Sequence, residues 1–333
     1  MLAAHVRARF AGSRSALVGA VIVAALVVFA VAGPGLARHG PLESDFVHGI
    51  AGGARPVGPS ASFPLGADRL FRDVFARLAS GARLTLVVAS AATLIASATG
   101  ALVGITAGWY EGARPRVPWP VLVGCVGAVA AMLAGRPITG AVAAIAGVVV
   151  AAVRPFVGPR VDVDGLIMRV VDALLAFPFL LLVLAVSAAL DRATAVTIVI
   201  TLGATGWLGI ARMLRAKTMQ VRALDYVQAS RALGQPGARL VVKHVLPNVA
   251  GLLVVTSTVL LGQMIVADSI LGYLGAGESP PTPTWGRMLL EGQDYYATAP
   301  WLVVAPGAAI LLAVWGFNLL GDGLRDALDP GEG

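Results

Sequence analysis

The chain is poor in charge: of its 333 residues only 13% are Asp, Glu, Lys or Arg, whereas 57% are hydrophobic. Soluble domains carry about 25% charged residues, so this chain cannot clothe a water-facing surface. A soluble enzyme and a disordered regulator are set aside on that ground. Cysteine is nearly missing too. Cys125 stands alone in an apolar run, which excludes an intrachain disulfide and a thiolate metal cluster. The histidines (His5, His39, His48 and His244) all lie outside the apolar runs. An intramembrane protease would therefore have neither a base nor metal ligands at membrane depth. No glycine-rich phosphate loop precedes Lys217 or Lys243, so any ATP that drives this protein is hydrolysed on another chain. The alternating ~10-residue segments of a membrane barrel are missing as well.

What is present is long apolar runs with few charges, and a mean hydropathy of +0.82. Each is long enough to cross a ~30 Å hydrocarbon layer, which predicts an all-α polytopic membrane helix bundle. Eight runs qualify: Ser15 to Gly33, Leu84 to Tyr110, Val117 to Gly135, Pro137 to Val153, Gly165 to Leu190, Ala193 to Met213, Val249 to Leu274 and Trp301 to Leu320. The first could be read as a signal peptide ending near Ala30-Val31-Ala32, but its apolar stretch exceeds the usual 7–15 residues, so it reads as a retained span. Residues 34–83 read as an extramembrane segment, with a short amphipathic helix over Asp68 to Arg83 leading into the second span. Pro178 interrupts the run from Gly165 to Leu190.

The net charge of +7 is better explained by topology than by nucleic acid. The loop 212–248 holds Arg212, Arg215, Lys217, Arg222, Arg231, Arg239 and Lys243 against the single acid Asp225. The loop from Ala276 to Pro300 holds Arg287 against Glu278, Glu291 and Asp294. Positive loops stay inside, so loop 212–248 and both termini, including the tail 321–333, are expected in the cytoplasm and residues 34–83 outside.

Loop 212–248 has structure of its own. Thr218 to Leu233 has helix-forming composition, Gly234 sits where a cap reverses the chain, and Pro236 suits the first turn of a second helix over Gly237 to Val245. Pro247 marks where that helix ends or kinks. Tyr226, Val227 and Leu233 would offer apolar contacts to a soluble partner, and the competing reading is an interfacial helix bound to lipid headgroups.

The run Asp225-Tyr226-Val227-Gln228-Ala229-Ser230-Arg231-Ala232-Leu233-Gly234, followed by His244-Val245-Leu246-Pro247-Asn248, resembles the coupling loop of bacterial ABC importer permeases. Three further stretches narrow the resemblance to the second permease subunit of dipeptide, oligopeptide and nickel importers: Asp172 to Pro178, Pro280 to Gly286, and Asn318 to Asp326. Pro64 to Asp68, with Arg72-Asp73-Val74 and Gly81-Ala82-Arg83, is similar to the family segment before its second span.

The resemblance implies a six-span core that pairs with a homologous permease, ATP-binding cassette subunits carrying ATP-Mg, and an extracytoplasmic binding protein, with no cofactor held by this chain. It implies that Tyr226, Gln228, Ala229, Ser230, Arg231, Gly234, His244 and Pro247 form the ATPase-coupling element. Gln228 stands where the family has glutamate, Ser230 where alanine is usual, and Phe71 where glycine is usual. Residues 114–160 replace a short loop with a hydrophobic hairpin, read as two extra spans or as a re-entrant pair.

Asp268 lies deep in an apolar run. It is either a polar group near the translocation path or a structural hydrogen bond between helices, and in a rival ion-coupled carrier it would be the titrating group. Pro178 is the other path candidate, as a break that lends flexibility. Arg169 and Asp172, a turn apart, are expected to pair. Trp109, Tyr110, Trp119 and Trp301 are expected at the membrane interfaces, and Trp285 with its prolines in a stiff outer loop.

Overall fold

The computed structural model describes residues 9–52, 55–112, 123, 137–153, 162–188 and 194–328. Among the described residues five helices are long and apolar enough to span a bilayer: α1 (Arg14–Leu36), α2 (Val74–Trp109), α6 (Ala195–Arg222), the helix that includes α9 (Leu246–Tyr273), and α11 (Trp301–Leu328). A sixth candidate is the broken pair α4 (Val163–Leu175) and α5 (Phe179–Ala188), bent by 93° at Pro178. Their outward faces carry side chains such as Val31, Leu94 and Leu311, more than 60% exposed, as lipid contact requires. The chain is thus an all-α polytopic membrane protein. The helix α3 (Pro137–Val153) is the second half of the expected inserted hairpin, and the first half, with Trp119, lies outside the described residues.

Between α1 and α2 the chain forms a compact segment at one end of the bundle. Its only regular strands among the described residues are a two-residue antiparallel pair, β1 (Ile50–Ala51) and β2 (Arg55–Pro56). The predicted helix over Asp68 to Arg83 is displaced: residues 68–73 form a turn, and α2 begins at Val74 and runs unbroken for 36 residues. Two causes act together. Asp73 caps the helix by accepting the Phe75 N–H at 2.8 Å. Arg77, inside the expected amphipathic helix, is neutralised by Asp68 at 3.1 Å and Glu291 at 2.7 Å. At about 1.5 Å per residue α2 is ~54 Å long, so it projects well beyond the hydrocarbon.

The bundle is held by close backbone approach. On α2, Gly100, Gly104 and Gly108 lie one turn apart and face α6. A Cβ at these positions would fall 2.8 Å from the Ile210 Cβ, 2.5 Å from the Ala211 carbonyl oxygen and 2.6 Å from the Arg215 carbonyl oxygen. Between lipid-facing helices there is no hydrophobic gain from association, and small residues that admit tight contact supply it instead. The packing of α1 on α11 works the same way, with Gly19 against the Leu320 backbone.

Two span ends also differ from the sequence reading. α11 stays helical to Leu328, so residues 321–328 are not a loose tail. The helix after Pro236 does not stop at Pro247. A short α8 (Gly237–Leu240) passes through a π-helical turn (Val241–Val245) straight into α9. Pro247 stands just after that π-helical turn, whose local widening accommodates a residue without an N–H.

Candidate functional site

Loop 212–248 folds as the sequence suggests in kind, though not in every boundary. α6 runs on to Arg222. The chain then breaks at Ala223-Leu224 and restarts as α7 (Asp225–Ala232), so the expected single helix from Thr218 to Leu233 is two. Gly234 has φ +80, and the turn closes with the Gly234 N–H donating to Arg231 and the Gln235 N–H donating to Ser230. That left-handed conformation suits glycine and strains other residues.

Tyr226 and His244 meet edge to face with ring centroids 5.5 Å apart, and the Asn248 amide donates to the Tyr226 hydroxyl at 3.1 Å and to the His244 carbonyl at 2.7 Å. The first turn of α7 is thereby tied to the base of α9, beside Pro247. Ser230 is turned inward on its own helix, donating to the Tyr226 carbonyl. Ala229, Arg231 and Gln228 are exposed. Of the three expected apolar contacts, Val227 is buried in the bundle, Tyr226 is half-exposed, and Leu233 is 84% exposed at the tip of the turn.

Three of the loop's seven cations are already engaged. Arg212 pairs with Asp172, Arg215 with Asp164, and Arg222 with Glu111. Asp172 thus bonds to α6 rather than to Arg169 on its own helix, and Arg169 is exposed. Glu111 and Asp164 flank residues 113–161, so both attachments of that stretch are fixed to the same end of α6 as the loop 212–248. Trp109 is buried there at 8% exposure instead of facing lipid, with its indole 3.2 Å from where a Gly237 side chain would start.

At the other end of the bundle a buried ionic cluster joins the segment between α1 and α2 to α10 (Trp285–Gly292). Arg72 and Arg77 both reach Glu291, and both also reach Asp68. Trp285 is fully buried and donates to the Leu78 carbonyl at 3.1 Å, while Trp301 donates to the Ala67 carbonyl at 3.0 Å. Each of these two tryptophans thus ties its own segment to the chain around α2, Trp285 from a buried position and Trp301 from a partly buried one at the start of α11. Phe71 keeps the left-handed conformation expected of glycine (φ +60) and places its ring edge-on to Phe46, 5.6 Å between centroids. Asp73 has its carboxyl raised above the usual range, because burial outweighs the backbone N–H groups that it accepts.

Within the bundle, Asp268 is 5% exposed and accepts a hydrogen bond from the Thr85 hydroxyl at 3.1 Å. The bond joins α9 to α2. Pro178 sits at the 93° corner between α4 and α5.

Sequence reasoning overlooked Arg222, Glu111, Arg77, Asp68 and Glu291 as a set. The available signal was a cation placed just inside a helix end, at Arg77 and at Arg222. Their acidic partners are distant in sequence and cannot be assigned by spacing.

Comparison with known proteins accords with this geometry. Residues 142–332 match the family described as the binding-protein-dependent transport system inner membrane component, and residues 2–49 match the N-terminal transmembrane domain of oligopeptide transport permease C. The chain is 31% identical over 318 residues to the dipeptide transport system permease protein DppC of Alkalihalophilus pseudofirmus, covering 96% of this chain and 86% of that one. It is 34% identical over 323 residues to the di/tripeptide transport system permease protein DppC of Pseudomonas aeruginosa, covering 96% and 89%. With the glutathione transport system permease protein GsiD of Pectobacterium atrosepticum it shares 32% over 273 residues, covering 82% and 74%. The chain belongs to the family of inner-membrane permease components of binding-protein-dependent transport systems.

Proposed function

We propose that this chain forms half of the translocation path of an ABC importer for short peptides, and that a separate ATPase drives it through residues 218–247. The observation that carries this reading is the shape of the loop. A short helix tied to α6 and α9 ends in the glycine turn at Gly234, with Leu233 projecting 84% exposed beyond it. An exposed leucine flanked by Arg231 and Arg239 fits a groove on a soluble partner better than it fits water. ATP closes the nucleotide-binding pair, α7 moves with it, and the paired permease bundles open outward to receive substrate from the binding protein. Hydrolysis resets the inward state.

The peptide assignment rests on the relatives. Two are named for di- or tripeptides and the third for glutathione, itself a three-residue peptide. Loop 212–248 and both termini lie in the cytoplasm on the balance of basic residues. The insertion then leaves and re-enters on that side, since Glu111 and Asp164 anchor its two ends to α6. Its α3 half is a 17-residue apolar helix, and we read the whole as a peripheral hairpin. Asp268 serves this account as a packing bond, and the bend at Pro178 as the flexible corner of the path.

The test is co-purification of the tagged chain, expressed with its paired permease and ATPase, against Leu233→Glu. The ATPase is expected with the wild type and lost with the variant, while this chain and the paired permease stay together. An ATPase that stays bound to Leu233→Glu, or never binds the wild type, overturns the docking assignment.

A further inference from the structure

Three helices, α2, α6 and α7, meet at one residue on the cytoplasmic end of α6. Arg222 is the last residue of that helix. Its guanidinium Nη1 donates to the carbonyls of Trp109, at 2.8 Å, and Glu111, at 3.0 Å, while Nη2 donates to the Glu111 carboxylate at 2.6 Å. Trp109 is the last residue of α2, so Arg222 caps the C-terminus of α2. Its positive charge also lies at the negative end of that helix. The backbone of Arg222 is capped in turn, because the Gln228 side-chain amide, on α7, donates to its carbonyl at 2.9 Å. A link therefore runs from α7 through Gln228 to the end of α6, and on through the Arg222 side chain to the end of α2.

We infer that Arg222 is the positioning residue that carries the displacement of α7 to α2 as well as to α6, so that the three helices move as one piece. The inference rests on the coupling role proposed above. It gives a physical meaning to the departure at position 228. A glutamate carboxylate has no proton to give the Arg222 carbonyl, whereas glutamine does. Glutamine here closes the link within the chain. Arg222 suits the task because its planar fork reaches two carbonyls and a carboxylate from one position, which a lysine ammonium does less well. The cap is only partly exposed, with 21% of the Arg222 side chain and 35% of the Glu111 side chain open.

The experiment uses the assembled transporter in liposomes and reads substrate moved per ATP hydrolysed. Arg222→Gln is expected to keep the ATPase bound and hydrolysing but to lower that ratio by about tenfold, within the range typical of coupling between sites. Arg222→Lys is expected to fall in between, and Glu111→Gln, which keeps both carbonyl bonds, to lose less than Arg222→Gln. A second readout is independent of transport. Spin labels at Tyr110→Cys and Asp225→Cys, on a Cys125→Ser background, are expected to keep one separation with and without ATP in the wild type, and to separate on ATP binding in Arg222→Gln. Arg222→Gln moving as much substrate per ATP as the wild type overturns the inference, as does a nucleotide-dependent separation in the wild type. A wild-type assembly that binds no ATPase overturns the coupling reading itself, and the inference falls with it.

Discussion

Thr85 of α2 donates its hydroxyl hydrogen to Asp268 of α9 across 3.1 Å, and both residues are buried. An acid at this depth needs a partner, and this hydroxyl supplies one. Thr85→Val removes the donor and leaves the acid's oxygen unmatched, which costs about 1–3 kcal/mol. The expected result is a lower melting temperature in detergent. Asp268→Asn keeps an acceptor oxygen for Thr85 and is expected to retain most transport, whereas a carrier that titrates Asp268 would lose it.

The contact of α2 with α6 tolerates no added side chain at Gly104, where a Cβ would lie 2.5 Å from the Ala211 carbonyl oxygen. Overpacking of this kind costs about 1–3 kcal/mol. Gly104→Val is therefore expected to lower stability, while Gly209→Ala, at a helical glycine with nothing within 4 Å, is expected to leave it unchanged or slightly raised. Thermal unfolding of the two variants side by side separates a specific contact from a general intolerance of substitution.

Gly234 bears a different constraint. Its surroundings are open, so the obstacle to a side chain there is backbone conformation alone (φ +80). Gly234→Leu costs about 1–2 kcal/mol in the left-handed region. The expected outcome is a locally altered turn and loss of ATPase recruitment, with little change in the melting of the bundle. A Gly234→Asn variant, which tolerates that region better, is expected to recruit more ATPase than Gly234→Leu.

Burial raises Glu278, in the loop after α9, above the usual carboxyl range, and the Ala195 N–H at the start of α6 offsets this only in part. A carboxyl raised on folding is held protonated more tightly by the folded chain. Its favourable contribution is therefore complete below the unfolded pKa and is lost as pH rises through the folded value. Stability is expected to decline over that window, and Glu278→Gln is expected to make the decline shallower, with Asp73, raised in the same direction, supplying part of what remains. A variant less stable than the wild type at mildly alkaline pH would contradict the assignment.

Much of this was legible in the chain itself, for reasons that can be named. The spans follow from runs of apolar residues whose length is set by the bilayer. The corner at Pro178 and the turn at Gly234 follow from backbone chemistry local to one residue. What escaped depends on partners far away in sequence. Arg77 falls inside the expected amphipathic helix over Asp68 to Arg83, and only Glu291, brought from α10, completes with Asp68 the pairing that lets the charge sit within α2. Trp109 has the same amphipathic indole as an interface anchor, and only the approach of Gly237 and Arg222 shows that it is buried. Asp172 has a cation a turn away on its own helix, yet it bonds to Arg212 of α6 because the packing of α4 on α6 decides the pairing.

The central claim is ATP-driven peptide import through this chain, and uptake of a labelled dipeptide by liposomes holding the complete assembly tests it most directly. With binding protein outside and ATP inside, the account predicts uptake that stops when ATP is withdrawn and persists when a protonophore collapses the membrane potential. Uptake that ignores ATP and vanishes with the potential would contradict it and turn attention to Asp268.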